Sequence, residues 1–375
     1  MSQGSDVKTW VKDYVHARYG KDNDDAQKAW SILLETLYNC KDKRHGPQGS
    51  FLSMPASLNP SGGGFARADI FYDTSRIREA FQLLLTASNE LGFQDTYCYD
   101  LVDLGRQVMS DFSQQKLHVE LRAALAAKDA VRFDKASDAY YQAILDTDKL
   151  LRTHRLFQLG NYLRYPKMAV ESASENARFE QNARRLITLW GGSNAGLFGY
   201  AQRQYGGLLA DYNLNSWKLV FGTASKALHA GTKYDAGAAD RAVRAYTEEW
   251  IHQNTVYPEQ AEGDAVAVAR MICDKYCKAA AGASLRDEVV GRWKYTAAGK
   301  DCVREFAADG SLRLYINGGV HAGWNGFTWH AKDGEIICQK ADGTVFGKHK
   351  LQDPQTLLFI GEPFGPATRD IEHHE

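Results

Sequence analysis

The feature that most constrains the fold is a change of hydrophobic period at "AAAGASL", residues 279–285. Upstream, apolar residues recur at the three- to four-residue spacing of helices. Downstream, short aromatic and β-branched runs alternate between turn signals. A chain that changes period once and does not change back is expected to build a helical structure followed by an all-β one. The expected domains are therefore residues 1–282 and 286–371, and 375 residues is in any case long for one core.

In "VKTWVKDYV" Val7, Trp10, Val11, Tyr14 and Val15 form one helical stripe. "DDAQKAWSILLETLYNC" repeats the pattern through Ala26, Ala29, Trp30, Leu33, Leu34 and Leu37, with Asp24 or Asp25 expected as its cap. Between them "RYGKDN" reads as a glycine-closed turn, and Pro and Gly make residues 41–69 irregular. Helices are expected again from "DTSRIREAFQLLLTASNEL", capped by Asp73, to "GDAVAVARMICDKYCKAA", and "LFGYAQRQYGGLLADY" is read as one of them. No fixed repeat length emerges, which argues against a solenoid. After residue 284, Asp309-Gly310, Asp333-Gly334 and Asp342-Gly343 have hairpin chemistry, and "SLRLYIN" alternates Leu312, Leu314 and Ile316 against Arg313 and Tyr315. The expected fold class is multidomain and mainly α: an irregular helical bundle, then about seven strands in a small antiparallel barrel or sandwich.

A net charge of −1 gives no electrostatic case for nucleic acid or an anionic membrane as partner. No apolar run is long enough for a membrane span. The N-terminus lacks the basic-then-apolar layout of a signal peptide, so no export address is expected on this polypeptide. No glycine-rich loop follows a strand and opens a helix, so nucleotide binding has no support, and no motif of the sequence calls for a cofactor. Cys273 and Cys277 lie four apart, but two thiolates without a matching His pair do not complete a zinc site; they read as buried thiols, and no metal is expected.

Two charged constellations weigh towards structure. Asp100 and Asp103 would be general acid–base candidates, but Asp103 and Arg106 are spaced to pair across one helical turn. Glu180 and Arg184 are an i,i+4 pair. No Ser, Cys or Thr is spaced as a nucleophile. Trp190 is different. It ends a helical stripe beside Gly191, Gly192, Ser193 and Asn194, so small neighbours would leave one ring face open to the C–H face of a sugar, although an amphipathic-helix Trp is ordinarily core. Spacing alone does not decide.

Seven motifs in order carry a resemblance: "WVKDYVHARYG", "AWSILLETLYNC", "YDLVDLGRQ", "FQLGNYL", "FEQNARRLITLWG", "YAQRQYGGLLADYN" and "SWKLVF". Over about residues 7–225 the sequence resembles the C-terminal all-helical domain of glycoside hydrolase family 89, the α-N-acetylglucosaminidases. The resemblance implies an exo-acting retaining enzyme that removes terminal N-acetylglucosamine in α linkage. Its two catalytic glutamates lie on a (β/α)8 barrel, so none is carried over onto this chain. It also implies a secreted, periplasmic or lysosomal whole protein. The partners implied are an N-acetylglucosamine-terminated glycan and that barrel, on upstream or separate polypeptide. The family's tryptophan of the sugar pocket falls on Trp190 and its aliphatic pocket residue on Leu197, while Gly199 stands where the family carries Asp. The resemblance turns Trp190 towards a sugar-facing role. The rival expectation is a non-catalytic binding or scaffold module.

The β-rich segment lies outside this match. Gly291-x-Trp293 opening its first strand resembles a lipocalin-type start, a weak signal that leaves a structural accessory domain as the expectation. Carbohydrate binding through Trp293, Trp324 or Trp329 is a further alternative.

Overall fold

The first three helices start where the sequence supplies a capping oxygen. Asp6 accepts from the Thr9 amide at the head of α1 (Val7–Tyr19), Asn23 from Ala26 at α2 (Asp24–Glu35), and Asp73 from Ser75 at α3 (Thr74–Leu91). Asp24 and Asp25 are thus not the cap of α2; they lie in its first turn, where their charge suits the positive end of the helix. Gly20 closes α1 in the left-handed conformation, φ +70°. The remaining helices are α4 (Asp95–Phe112), α5 (Val119–Ala126), α6 (Ala130–Arg152), α7 (Leu159–Lys167), α8 (Ala173–Leu186), α9 (Leu214–His229), α10 (Ala236–Ile251) and α11 (Ala265–Ile272). The computed structural model describes residues 6–40, 49–60, 68–168, 172–192, 196–277, 289–307, 310–332, 335–353, 355–360 and 365–370. They divide into two units, Met1–Lys278 and Ala279–Glu375.

The core of the helical unit gathers where α6 meets α9. Tyr140, Trp217 and Phe221 are fully buried, with ring centroids 4.9 to 5.3 Å apart. Their polar ends are satisfied by an irregular segment: Tyr140 Oη donates to the Phe51 carbonyl at 3.2 Å, and Trp217 Nε1 to the Leu52 carbonyl at 3.2 Å. Residues 49–60 are thereby held without being helical, as Pro and Gly required. At Gly105, α4 approaches α3 and α6 so closely that a Cβ would stand 2.7 Å from Leu150 Cδ2 and 3.1 Å from Phe81 Cε2.

One expected helix does not form. Residues 196–206 are turns and irregular chain, and the helix that follows begins as a π-helical turn at Leu209–Asn213 running into α9. The reason is competition for backbone groups. Leu159 N–H donates to the Gly206 carbonyl at 3.0 Å and Gly206 N–H to the Phe157 carbonyl at 2.7 Å, so Gly206 pairs with the chain ahead of α7 rather than with its own turn. The buried carboxylate of Asp148 then takes the amides of Gly207 and Ala210 at 2.6 and 3.0 Å.

The second unit is one antiparallel sheet, curled into a half-barrel, so of the two architectures expected the barrel side prevails. Its strands are β1 (Gly291–Ala297), β2 (Lys300–Phe306), β3 (Leu312–Ile316), β4 (Gly319–Val320), β5 (Thr328–Lys332), β6 (Glu335–Gln339), β7 (Val345–Asp353), β8 (Thr356–Ile360) and β9 (Ala367–Arg369). They lie in the order β4-β3-β2-β1-β9-β8-β7-β6-β5. An isolated bridge between Ser311 and Thr328 brings the two ends of the sheet together. Leu312 and Leu314 are buried and Arg313 is exposed, the alternation read from the sequence. Gly343, φ +83°, makes the turn after β6, where Asp342 accepts from the Thr344 amide at 2.9 Å. Asp309, Asp333 and Gly334 lie outside the described residues, as do residues 278–288 around the change of period.

The burial of one acid in α4 predicts how stability responds to pH. Asp111 Oδ1 accepts from Tyr72 Oη at 2.8 Å and Gln107 Nε2 at 3.0 Å, while Oδ2 is buried with no hydrogen-bond partner among the described residues. Burial pushes this carboxyl up to about 7 from its ordinary 3.8. Between those values the folded chain holds a proton that the unfolded chain has released, so the stability present in acid is lost as pH rises through 7. Asp111→Asn is expected to unfold at higher urea than the parent at pH 8, and at the same urea at pH 4; a pH-independent difference would contradict this account.

Candidate functional site

The tail of α8 carries the site. After Leu186 the chain continues through Ile187, Thr188 and Leu189, all buried, and then presents Trp190 with 38 % of its surface exposed. Trp190 stands in the left-handed region at φ +54°, which a bulky L residue seldom occupies. Its amide donates to the Arg185 carbonyl at 2.8 Å, closing the turn. The ring therefore swings off the helical stripe that would have carried it into the core. Tyr200 packs against it, with centroids 4.9 Å apart and planes inclined at 53°.

The chain beyond the turn comes back against it. Ser193 and Asn194 lie outside the described residues, but from residue 196 onward the path is clear. Leu197 is 43 % exposed, so both residues singled out from the resemblance lie at the surface. The Gly199 amide donates to the Thr188 carbonyl at 2.7 Å, which ties the returning segment to the end of α8. Gly199 itself is at φ +69°, and a Cβ there would stand 2.4 Å from Pro55 Cγ and 2.8 Å from Cδ. The aspartate that the resemblance implies at this position has no room here unless Pro55 withdraws. Tyr200 is the residue that sequence reasoning passed over. Its place beside Trp190 follows from the returning loop, which no helical periodicity could express.

Behind the turn, Arg184 is fully buried. It holds Glu180 Oε1 through Nε at 3.0 Å and Nη2 at 2.7 Å, donates to the Thr255 carbonyl at 2.8 Å, and lies over the rings of Trp250 and Tyr257 at 4.8 and 5.3 Å. Asp211 accepts from Trp250 Nε1 at 3.0 Å and from Tyr257 Oη. Burial raises the Tyr257 phenol, and the Asp211 carboxylate raises it further; burial lifts Tyr212 and Tyr246 to about 12. These phenols stay protonated at neutral pH and act as donors and packing surfaces rather than as acid–base groups.

The other constellations singled out in the sequence are structural. Asp100 is bound by the Arg18 guanidinium, with Nη2 to Oδ1 at 2.7 Å, and by Tyr19 Oη at 2.8 Å, which joins α1 to α4. Burial raises its carboxyl, opposed by the bonds from Arg18 and Tyr19. Asp103 pairs with Arg106, whose Nε is 2.7 Å from Oδ1. The two aspartates therefore face different partners and form no catalytic dyad. Cys273 and Cys277 are buried in a π-helical turn after α11.

In the β unit, Trp293 and Trp329 are not available as sugar platforms, being 0 % and 3 % exposed. They point inward, and their indoles donate to the carbonyls of Val289 and Ala307. Trp324 is half-buried and stacks on Phe327 at 5.1 Å.

Comparison with known proteins bears on this geometry. The family profile described as Alpha-N-acetylglucosaminidase (NAGLU) C-terminal domain matches residues 10–275. The human alpha-N-acetylglucosaminidase is 30% identical over 273 residues, which are 72% of this chain and 36% of the human protein. The chain thus spans little more than a third of that relative's length. Structures of a family 89 glycoside hydrolase from Clostridium perfringens are similar to it with a TM-score of 0.68 at 23% identity, over 74% of this chain and 32% of theirs. They hold its substrate GlcNAc-alpha-1,4-galactose in one case, 2-acetamido-1,2-dideoxynojirmycin in a second and PUGNAc in a third. At that identity the likeness speaks for the fold. The profile match over most of the chain, together with the human relative, establishes that this chain belongs to the α-N-acetylglucosaminidases of glycoside hydrolase family 89, through their C-terminal helical domain.

Proposed function

We propose that the helical unit is one wall of the sugar site of an exo-acting, retaining α-N-acetylglucosaminidase. In this reading Trp190 and Leu197 line the pocket for the terminal N-acetylglucosamine, with Tyr200 backing the tryptophan ring. The observation that carries it is the Trp190 turn: an aromatic ring is held out of the core, at a backbone conformation that opposes its presence, with Tyr200 tilted against it. A ring so placed offers an apolar plane to the C–H face of a hexose. The ligand class is supported by the relatives, since the Clostridium enzyme has GlcNAc-alpha-1,4-galactose as its substrate.

Retention needs a nucleophile and an acid–base group whose carboxyls stand about 5–5.5 Å apart across the scissile bond. No motif of residues 1–375 matches the family's two glutamates, and the paired aspartates of α4 are occupied by arginines. The reading therefore places the reactive acids on a (β/α)8 barrel outside this stretch of polypeptide. This wall would orient the sugar against them, so that stacking energy is expressed as correct geometry at the anomeric carbon. The β unit would be an accessory structural domain, consistent with its inward-facing tryptophans.

Purified residues 1–375 are expected to leave an aryl α-N-acetylglucosaminide uncleaved, whereas turnover by this stretch alone would overturn the assignment. In the enzyme assembled with a barrel, Trp190→Ala is expected to lower kcat/KM by about tenfold, equivalent to about 1.4 kcal/mol of transition-state stabilisation. Unchanged kinetics would remove Trp190 from the site. A chain that bound N-acetylglucosamine unaided, and that no family barrel complemented, would favour the stand-alone binding module instead.

A further inference from the structure

Two adjacent arginines end α8, and they do different things. Arg184 is sealed inside the unit. Arg185 is about a quarter exposed and reaches across the Trp190 turn: Nη1 donates to the Gly191 carbonyl at 2.9 Å. The same guanidinium is gripped by Glu248 of α10, with Nη1 to Oε1 at 3.3 Å and Nη2 to Oε2 at 3.0 Å. Its own main-chain carbonyl accepts from the Trp190 amide at 2.8 Å. One residue thus holds both sides of the tryptophan, the amide before its Cα through backbone and the carbonyl after the next residue through side chain.

That arrangement answers a question the turn poses. A helix that ends in the left-handed conformation ordinarily places glycine there, because a Cβ crowds the neighbouring carbonyl. Gly191 is the very next residue, so a turn displaced by one position would put the strain on glycine and return Trp190 to the helical stripe. An αL tryptophan persists only if the surroundings over-determine it. The bond to the Gly191 carbonyl is specific to the observed register, and Glu248 fixes the guanidinium that makes it. Because Glu248 lies on α10, the turn is tied to a second helix and not to α8 alone.

We propose that the Arg185–Glu248 ion pair is a positioning device that holds the Trp190 turn in its left-handed register and so sets the direction of the ring. It acts through Trp190 and touches no reacting group; its bearing on sugar recognition rests on the function proposed above, while the positioning itself does not. Both partners are partly solvated, with side chains 27 and 30 % exposed, so their removal should disturb stability little. The buried Arg184 and the Trp190 amide bond keep the end of α8 folded without them.

The test uses the full chain, with Arg185→Met, Glu248→Ala and Glu248→Gln made in the parent and in a Trp190→Phe background. Subtracting the second series from the first isolates the acrylamide quenching of Trp190 from that of the other tryptophans. In Arg185→Met and Glu248→Ala the Trp190 quenching constant should fall by about twofold or more, as a ring 38 % exposed returns to the helical stripe that faces the core, with the thermal transition unmoved. Glu248→Gln keeps an oxygen acceptor for the guanidinium and should recover most of the parent value. Parent quenching in both Arg185→Met and Glu248→Ala would overturn the proposal. So would loss of the cooperative transition in both, which would make the pair a general structural tie. Saturation-transfer NMR with N-acetylglucosamine forms the separate arm. A fall in quenching with no sugar contact in parent or variants would leave the positioning device standing and remove the sugar-facing reading of Trp190.

Discussion

The candidate site depends on a guanidinium that water does not reach. Arg184 is buried to completion, and a charge in that position is tolerable only because Glu180 pairs with it, a carbonyl accepts from it, and two aromatic faces enclose it. Those partners lie on α8 itself, in the last turn of α10 and on the segment that follows it, so satisfying one charge fixes the end of α8 against the chain at residues 250–257. Everything that makes the Trp190 turn unusual is built on that fixed end. Loosening it would allow the turn to relax into the helical register that its own backbone prefers.

Elsewhere in the helical unit the same device recurs with carboxylates. Asp148 holds amides that open the π-helical turn before α9, Asp100 joins α1 to α4, and Asp146 receives Lys275 and Tyr276 from the turn after α11. Each is placed where a chain segment begins or ends and has backbone or side-chain donors to satisfy. Buried groups so satisfied specify one arrangement of helices, because any slip leaves a donor or an acceptor stranded. Among the described carboxylates of the helical unit Asp111 is the exception, with one oxygen unmatched, and burial has raised its proton affinity accordingly.

The β unit is organised on a different principle. Its strands alternate, and the inward rows bring Trp293, Phe306 and Trp329 together with Arg304 and His349. The Arg304 guanidinium lies over the rings of Tyr295, Trp324 and Phe359 at 5.3, 5.0 and 4.7 Å, and burial, helped by the Arg304 charge, pushes His349 down to about 3. The large aromatics that suggested a sugar platform in the sequence are thus spent on filling the curl of the sheet. A tryptophan in a strand says only that one face is apolar; which side of the sheet is interior depends on how the strands close.

The division between what was legible and what was not follows the range of the forces involved. Periodicity, caps and turn chemistry act within a few residues. The sequence by itself therefore determined the helical and β units, the Asp73 cap, the glycine-closed end of α1, the Asp103–Arg106 and Glu180–Arg184 pairs, and, through ordered motifs, the family. Residues 197–206 showed helical spacing and became irregular chain, because Gly206 found its backbone partners at Phe157 and Leu159, nearly fifty residues away. The exposure of Trp190, the approach of Tyr200 to its ring and the bar on a side chain at Gly199 were decided the same way, by Arg185, by the returning loop and by Pro55. Local preference sets which elements form. Only contacts between distant segments can hold a residue in a conformation that its own backbone disfavours.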